Sequence, residues 1–500
     1  MKILWIDDEI ELLKPYIYFL KDKGYEVLTA TNGPDGIELV KREGVDLVLL
    51  DEWMSGMEGL EVLRRLKKID PNLLVAMVTK SEEEGLMDEA YGHLVDDYIV
   101  KPLTIPQVSA LVKRLLEKRR LITQRIASEY AQEFGFPSKI ENPEDWIKYY
   151  ISLIQWQLML SKFGDEGIRE VHSYQAKEFT TAFSKYIEDV YPEWIKGGRV
   201  TLSHNFLKRF LIKELESPPV YLFLFDAMRL DQWLGLLPII REDFEVETEY
   251  YFSILPSATP YSRNAIFSGL LPLQIKEQFP QYWVGGYRHQ NKYEKELLGE
   301  FLKRERPHTR FIFLKVSRTG ELEGIRGELL KKGIDLYVVV INFLDLLIHS
   351  VKSDELLSEL VRDEATLISL TRVWFVSSKL SQLFQMLKGK IVITSDHGFL
   401  KVQRPTIIYG GKEISPNLRY KYGGGLRCDP KTAIILSDPK EYMLPSEVLS
   451  TKYVIAKEDY YFIYPTKPHQ YEQTYKYTYQ HGGVSPAEMI IPVGFLKCKK

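Results

Sequence analysis

The sequence predicts an α/β protein in three parts: a small, doubly wound, flavodoxin-like sheet, a helical-bundle linker that could equally be a passive spacer, and a larger second α/β domain. Three observations carry this. Short apolar runs alternate with amphipathic stretches at the start of the chain and again after Pro219, the rhythm of parallel βα units. Between these regions the strand signals fade and long helical patterns take over. The 500 residues also exceed what one ordinary core supports, so roughly two to four domains are expected.

In chain order, Ile3-Leu4-Trp5-Ile6 reads as a buried strand, residues 11–23 as a helix stopped at Gly24, and residues 25–30 as a second strand. Residues 33–43 form a helix ending at Gly44, and residues 46–50, 73–78 and 97–100 supply three more strands. From about 103 to 216, helical patterns such as 144–162 and 170–191 dominate, with breaks at Gly135-Phe136-Pro137, Asn142-Pro143, Gly164, Pro192 and Gly197-Gly198. After Ser217-Pro218-Pro219, residues 220–225, 336–344 and 390–394 are continuous apolar runs suited to central parallel strands. The division that follows is 1–120, 121–216 and 217–500.

Composition narrows the class. An apolar fraction of 45% and a charged fraction of 27% are those of a globular protein. The net charge of −3 argues against a chain built to bind nucleic acid by charge alone. Residues 1–120 hold 23 acidic and 17 basic side chains, a net of −6, which leaves +3 for the rest. With only Cys428 and Cys498, neither a disulfide framework nor a cysteine metal cluster is available. The start meets Asp7 and Asp8 too early for a signal peptide, and no apolar run approaches a membrane span, so a cytoplasmic protein is expected.

Ligands of a parallel sheet gather at the carboxyl ends of its strands. In the first domain those ends carry Asp7 and Asp8, Asp51, Thr79 and Lys101. Carboxylates converging on one edge repel unless a cation sits among them, and Mg²⁺ suits an all-oxygen site of Asp7, Asp8 and Asp51. Asp51 is then the phosphoryl acceptor, Lys101 neutralises the transferred group, and the Thr79 hydroxyl bonds one of its oxygens. Any one of these acids alone would more often be a solvated surface group. The whole set, with Ile6-Asp7-Asp8-Glu9, Met54, Gly59 and Asp97-Tyr98-Ile99-Val100-Lys101-Pro102, resembles response-regulator receiver domains. The resemblance implies a cis Lys101–Pro102 bond, a Thr79–Tyr98 switch pair and a cognate histidine kinase. Ser55 departs from the family, which commonly has proline there.

The last domain places acids and histidines in five segments. Asp226 ends one buried strand. Leu255-Pro256-Ser257-Ala258-Thr259-Pro260 brings a hydroxyl to a turn. Asp345 and His349 would stack on one helical face. Asp396-His397-Gly398 ends another strand, and His481-Gly482-Gly483 precedes a strand-like run. Asp with His, without Cys, is a donor set for zinc or manganese, and two such clusters in one pocket could clamp a phosphoryl transfer. Taken alone, His397 could cap a turn and His349 could sit satisfied in a core. His93, His172, His204, His289, His308 and His469 lack an acidic partner at ligand spacing and read as structural. Arg419-Tyr420-Lys421-Tyr422-Gly423-Gly424-Gly425 reads as a loop, with Arg419 and Lys421 as substrate contacts or, more commonly for such glycine runs, as ordinary loop residues. Arg263 and Asn264 could reach a substrate phosphate.

The order of these five segments resembles the alkaline phosphatase superfamily, specifically its PglZ-type domain, across about residues 217–500. The resemblance implies two zinc ions, one held by Asp226, Asp396, His397 and the Thr259 oxygen, the other by Asp345, His349 and His481, with Thr259 as nucleophile. Receiver, helical segment and PglZ-type domain together resemble PorX-type response regulators. That implies a zinc-dependent phosphodiesterase of oligonucleotides or cyclic oligonucleotides, tuned by Asp51 phosphorylation, tied to type IX secretion, with a phosphorylation-dependent homodimer. The alternative is an adaptor with a structural metal site, binding a sigma factor or a secretion component.

Overall fold

The computed structural model describes residues 1–70, 73–80, 95–133, 140–163, 166–284, 291–353, 357, 361, 364–410, 416–446, 448 and 450–499. The chain divides into two compact units. The first comprises Met1–Gly135 and Leu158–Glu170, the second Phe136–Gln157 and Val171–Lys500.

In the first unit, β1 (Lys2–Ile6), β2 (Glu26–Ala30), β3 (Leu47–Asp51), β4 (Leu74–Thr79) and β5 (Asp97–Val100) form one sheet in the order β2-β1-β3-β4-β5. All neighbours are parallel, the flavodoxin-like topology expected of this region. Because side chains alternate across a strand, Ile3 and Trp5 of β1 enter one core and Leu4 and Ile6 the other. Both faces are thus dry, which is why the strand reads as an unbroken apolar run.

Three long helices follow: Ile105–Glu133, Pro143–Phe163 and Glu166–Ile195. The first runs through residue 120 without interruption. The third continues through Pro192, where the sequence reads as a break. Proline removes one helical hydrogen bond, yet Trp194 beyond it packs on Phe252 with ring centroids 4.9 Å apart. Tertiary packing holds that last turn against its local preference.

The second unit is built on six strands ordered β7-β18-β10-β6-β9-β8: β6 (Val220–Phe225), β7 (Phe244–Phe252), β8 (Phe311–Val316), β9 (Leu336–Ile341), β10 (Lys390–Ser395) and β18 (Ile490–Cys498). β10, β6, β9 and β8 are mutually parallel, whereas β18 runs antiparallel between β10 and β7. On one face Leu222, Leu224, Val338, Val340 and Val392 join Phe206, Leu207, Phe210 and Leu211 in a core. On the other, Phe223 meets Phe384 at 4.7 Å and Phe225 meets Trp374 at 6.1 Å. Each such fully buried side chain contributes about 1.5–3 kcal/mol. Helices therefore cover both faces and leave the strand ends as the place for chemistry.

Candidate active site and metal centre

The register of the central strands sets the site. Phe225 lies opposite Ser395 on one side and Ile341 on the other, so the next residues, Asp226, Asp396 and Asn342, emerge at one height on the carboxyl edge. Asp226 N–H donates to the Ile341 carbonyl at 2.8 Å. The chain then turns through Ala227 at φ 62°, and Ala227 N–H donates to Asp396 Oδ1 at 3.2 Å. The same oxygen accepts from His397 N–H at 3.1 Å. At Gly398 a Cβ would stand 2.0 Å from the Ala487 carbonyl oxygen, so the glycine after Asp396-His397 is required by a neighbouring backbone.

Thr259 is the first residue of the helix Thr259–Ser268, with Pro260 in its first turn, where fixed φ suits helix initiation. Its Oγ1 lies 2.9 Å from His397 Nε2 and 3.5 Å from Asp226 Oδ1. His397 Nδ1 is 3.0 Å from the Gly398 carbonyl. That contact places the proton on Nδ1 and leaves the Nε2 lone pair facing the threonine hydroxyl. One ligand atom from each of Asp226, Asp396 and His397 lies within 4.8 Å of the others, and the same holds for Asp345, His349 and His481.

The second cluster rests on the helix Phe343–Ser353, whose turn stacks Asp345 and His349, and on the loop after β17 (Tyr479–Gln480). Asp345 Oδ1 is buried and closes no hydrogen bond. The facing imidazole nitrogens of His349 and His481 stand 3.4 and 3.7 Å away, a spacing suited to sharing a cation. His397 and His481 stack at 4.5 Å, so the two clusters adjoin. The residues present therefore fit a pair of divalent ions.

Charge separates the acids. Burial drives the Asp226 carboxyl well above its ordinary range, against the pull of Arg263. Burial would also raise Asp396 and Asp345; Arg263 outweighs it at Asp396, and the surrounding His349, His481 and His397 at Asp345, so both fall below the ordinary range. Burial and the neighbouring His397 lower His481 to about 3, which keeps it neutral and ready to ligate.

Four expected substrate contacts stand differently. Arg263, 2% exposed, points inward: Nε lies 3.0 Å from Asp396 Oδ2, Nη2 bridges to Asp226, and Nη1 lies 3.6 Å from Glu294, itself fully buried. A guanidinium flanked by three carboxylates is held there and is not extended toward an anion. Asn264 donates to its own helix at the Pro260 carbonyl, 2.9 Å away. Residues Tyr420–Gly424 form β13, paired with β15 (Thr451–Ala456), instead of a loop. Arg419 has no exposed surface and is ion-paired with Glu488 at 2.7 Å. Lys421, 1% exposed, donates to Tyr464 Oη at 3.2 Å, and burial lowers its pKa to about 7.

Two residues were missed. Glu294 has no local signature. Glu488 does: Ser485-Pro486-Ala487-Glu488 is a capping-box pattern, with Glu488 N–H donating to Ser485 Oγ at 3.3 Å. Its carboxylate also takes Gly483 N–H at 2.8 Å, which shapes the loop after His481. His93 and His289 lie outside the described residues.

The first unit presents its own site. Asp7 and Asp51 are buried and Asp8 is exposed. Lys101 Nζ lies 3.0 Å from Asp7 and 2.8 Å from Asp51. Burial raises the Asp51 pKa, Lys101 opposes this, and Asp7 adds to it. The Lys101–Pro102 bond is cis. Thr79 Oγ1 bonds Glu52, and Tyr98 is 45% exposed. Ser55 N–H donates to Asp8 Oδ2 at 3.0 Å, a bond that proline could not make.

The PglZ family profile, described as the BREX system PglZ alkaline phosphatase-like domain, matches residues 206–495. The chain belongs to the PglZ family. The response regulator receiver domain matches residues 3–113 and the PorX response regulator linker domain residues 120–195. The protein is thus a two-component response regulator with a PorX linker ahead of its PglZ domain, in the order of a PorX-type regulator. Its receiver implies a cognate histidine kinase, and both receiver and alkaline phosphatase-like domains generally bind divalent metals. Among curated relatives, the alkaline phosphatase synthesis transcriptional regulatory protein PhoP of Bacillus subtilis is 32% identical over 122 residues, 24% of this chain and 50% of that one. Sporulation initiation phosphotransferase F of the same organism is 34% identical over 117 residues, 23% of this chain and 93% of that protein. The chain spans about half the length of the first of these. A receiver domain protein of Methanospirillum hungatei is similar at 28% identity over 23% of this chain and 94% of that one, with a TM-score of 0.22. The Thermotoga maritima response regulator TrrA is similar at 30% identity over 23% of this chain and 97% of that one, with a TM-score of 0.21. No described helix is long and apolar enough to cross a membrane.

Proposed function

We propose that the PglZ domain is a zinc-dependent phosphodiesterase acting on oligonucleotides or cyclic oligonucleotides, controlled by phosphorylation of Asp51. The observation that carries the reading is Thr259 at a helix start, with its hydroxyl 2.9 Å from the free nitrogen of His397. Asp226, Asp396 and His397 would hold one zinc with Thr259, and Asp345, His349 and His481 the other. When bound, such ions lower the pKa of a ligating hydroxyl and offset the charge of a transferring phosphate. Thr259 Oγ1 would attack the phosphorus and give its proton to solvent, while one ester P–O bond breaks and that oxygen leaves with a proton from water. A water then cleaves the threonyl phosphate. His397 Nε2 serves as a ligand beside the same oxygen, and the helix that begins at Thr259 directs backbone N–H groups at the phosphate. The half-exposed His349 leaves the second cluster open toward solvent, as a catalytic site requires and a closed structural site does not.

In the receiver, Asp7, Asp8 and Asp51 would hold Mg²⁺, with Thr79, Tyr98 and Lys101 reporting phosphorylation. The three-part division at residues 120 and 216, a cytoplasmic setting, a phosphorylation-dependent homodimer and a link to type IX secretion belong to the same reading.

Thr259→Ala should keep the fold and at least one zinc while kcat for a dinucleotide falls by at least about a hundredfold. Metal content and turnover of dinucleotides, cyclic dinucleotides and a phosphomonoester, measured on both proteins, test this. Equal rates in the two would remove Thr259 from the chemistry and favour an adaptor that binds a sigma factor or secretion component. Asp51→Ala should take up no acid-labile phosphate from a small phosphodonor with Mg²⁺; uptake as fast as wild type would displace Asp51 as acceptor.

A further inference from the structure

One face of the linker helix Glu166–Ile195 touches both loops on which the proposed chemistry depends. Tyr191 and Ser184 stand two turns apart, so their side chains share a face, and they are 2% and 0% exposed. Tyr191 Oη accepts Leu255 N–H at 2.8 Å, four residues before Thr259. Ser184 Oγ donates to the Val484 carbonyl at 2.9 Å and accepts Glu458 N–H at 3.3 Å; Val484 lies three residues after His481. The two loops are tied to each other by Ser257 Oγ, which donates to the Gly483 carbonyl at 2.6 Å. The path is closed: helix, Leu255, Ser257, Gly483, Val484, helix.

Buried N–H and carbonyl groups must be paired. Leu255 N–H takes its partner from a segment matched by the PorX linker profile, and Ser184 of the same segment adds its hydroxyl to a bridge in which Glu458 N–H also donates to the Val484 carbonyl at 3.0 Å. The helix is anchored away from the site as well: Phe179 and Phe183 pack on Trp146 at 5.2 and 5.5 Å. It is a fixed reference against which both loops are set.

We propose that Tyr191 and Ser184 are positioning residues: they set where Thr259 stands relative to His481, making the linker helix a working part of the active site. This deepens the phosphodiesterase reading and rests on it for the roles of Thr259 and His481.

Amide hydrogen exchange and steady-state kinetics on the full chain test it. In Tyr191→Phe, exchange of residues 254–258 should quicken at least about tenfold; in Ser184→Ala, that of residues 482–485 should do so, each with an unchanged global unfolding midpoint. For each variant kcat should fall about tenfold with KM within about twofold, because misplaced groups lose transition-state contacts before ground-state ones. Ser184→Thr, which keeps a hydroxyl, should restore both readouts, and Tyr174→Phe on the exposed face should change neither. Wild-type exchange at both segments in both variants overturns the proposal, as does a loss carried by KM alone. Should Tyr191→Phe fail to fold, Ser184→Ala and its threonine rescue decide the matter. Should wild type hydrolyse none of the substrates, the proposed reaction fails, and the exchange readout still decides whether the helix holds the loops.

Discussion

In the receiver, Asp7 and Asp51 share Lys101, whose side chain is 15% exposed, and Asp8 beside them faces solvent. In the PglZ domain, Asp226, Asp396 and Glu294 surround Arg263, and Lys315 closes the outer end at 2.7 Å from Glu294. Both gather acids at the carboxyl ends of parallel strands, the second adding Glu294 from a helix. The first leaves room for water and an incoming phosphoryl group; the second is assembled inside the protein with its own countercharge. The acid cluster that reaches solvent is left partly wet, whereas the buried one is compensated from beneath by Arg263.

The largest expected effect breaks or upholds that contrast directly. Arg263→Met leaves three buried carboxylates facing one another and should cost about 3–5 kcal/mol in chelator-treated protein. Lys101→Met should cost only about 1–2 kcal/mol, because the ammonium is itself partly exposed and two carboxylates, not three, lose their partner. Urea unfolding with chelator and then with zinc measures both, and zinc should recover more stability in Arg263→Met than in wild type. Equal losses in the two variants would end the comparison.

A second test uses pH. Burial lowers His172 and His204, both in the second unit, to about 4. The unfolded imidazoles take up protons near the ordinary 6.5 while the folded ones resist. Stability is therefore complete above pH 6.5 and declines as pH falls toward 4, by roughly 1–3 kcal/mol per pH unit at most. Following receiver and PglZ-domain signals separately from pH 7 to 5 should show the second unit weakening first. Replacing both histidines with glutamine should remove most of that decline, with His481 supplying the remainder.

The smallest effect concerns the loop after Asp51. Ser55→Pro removes the 3.0 Å bond to Asp8 and should shift Mg²⁺ affinity by no more than about 1.5 kcal/mol, roughly tenfold. Fluorescence of nearby Trp53 during a Mg²⁺ titration reads it. A larger change would mean that Asp8 is held as tightly as the buried acids of the PglZ domain.

Much of this was legible because central strands buried on both faces leave continuous apolar runs, as in Val220–Phe225 and Lys390–Ser395. The site acids then follow at once as the next residues. β7 escapes notice because Glu245, Glu247 and Glu249 alternate along it, the signature of a strand with one polar face and not of a buried one. β13 is hidden by Gly423 and Gly424, which read as loop until β15 supplies its partner. The environment of Arg263 could not be read at all: Glu294 lies on another helix, and only the folded chain shows that the arginine is surrounded by acids.

The position of β18 bears on how the molecule is made. β10, which delivers Asp396 and His397, acquires its second neighbour only from residues 490–498. While a ribosome adds the intervening residues, β10 can pair with β6 but keeps its other edge bare. Such edges invite pairing with other chains, and a domain emerging from its amino end cannot close this sheet early. The nascent PglZ domain is therefore both sterically incomplete and exposed to aggregation until β18 inserts, so its dependence on chaperones should be concentrated in that last interval of synthesis.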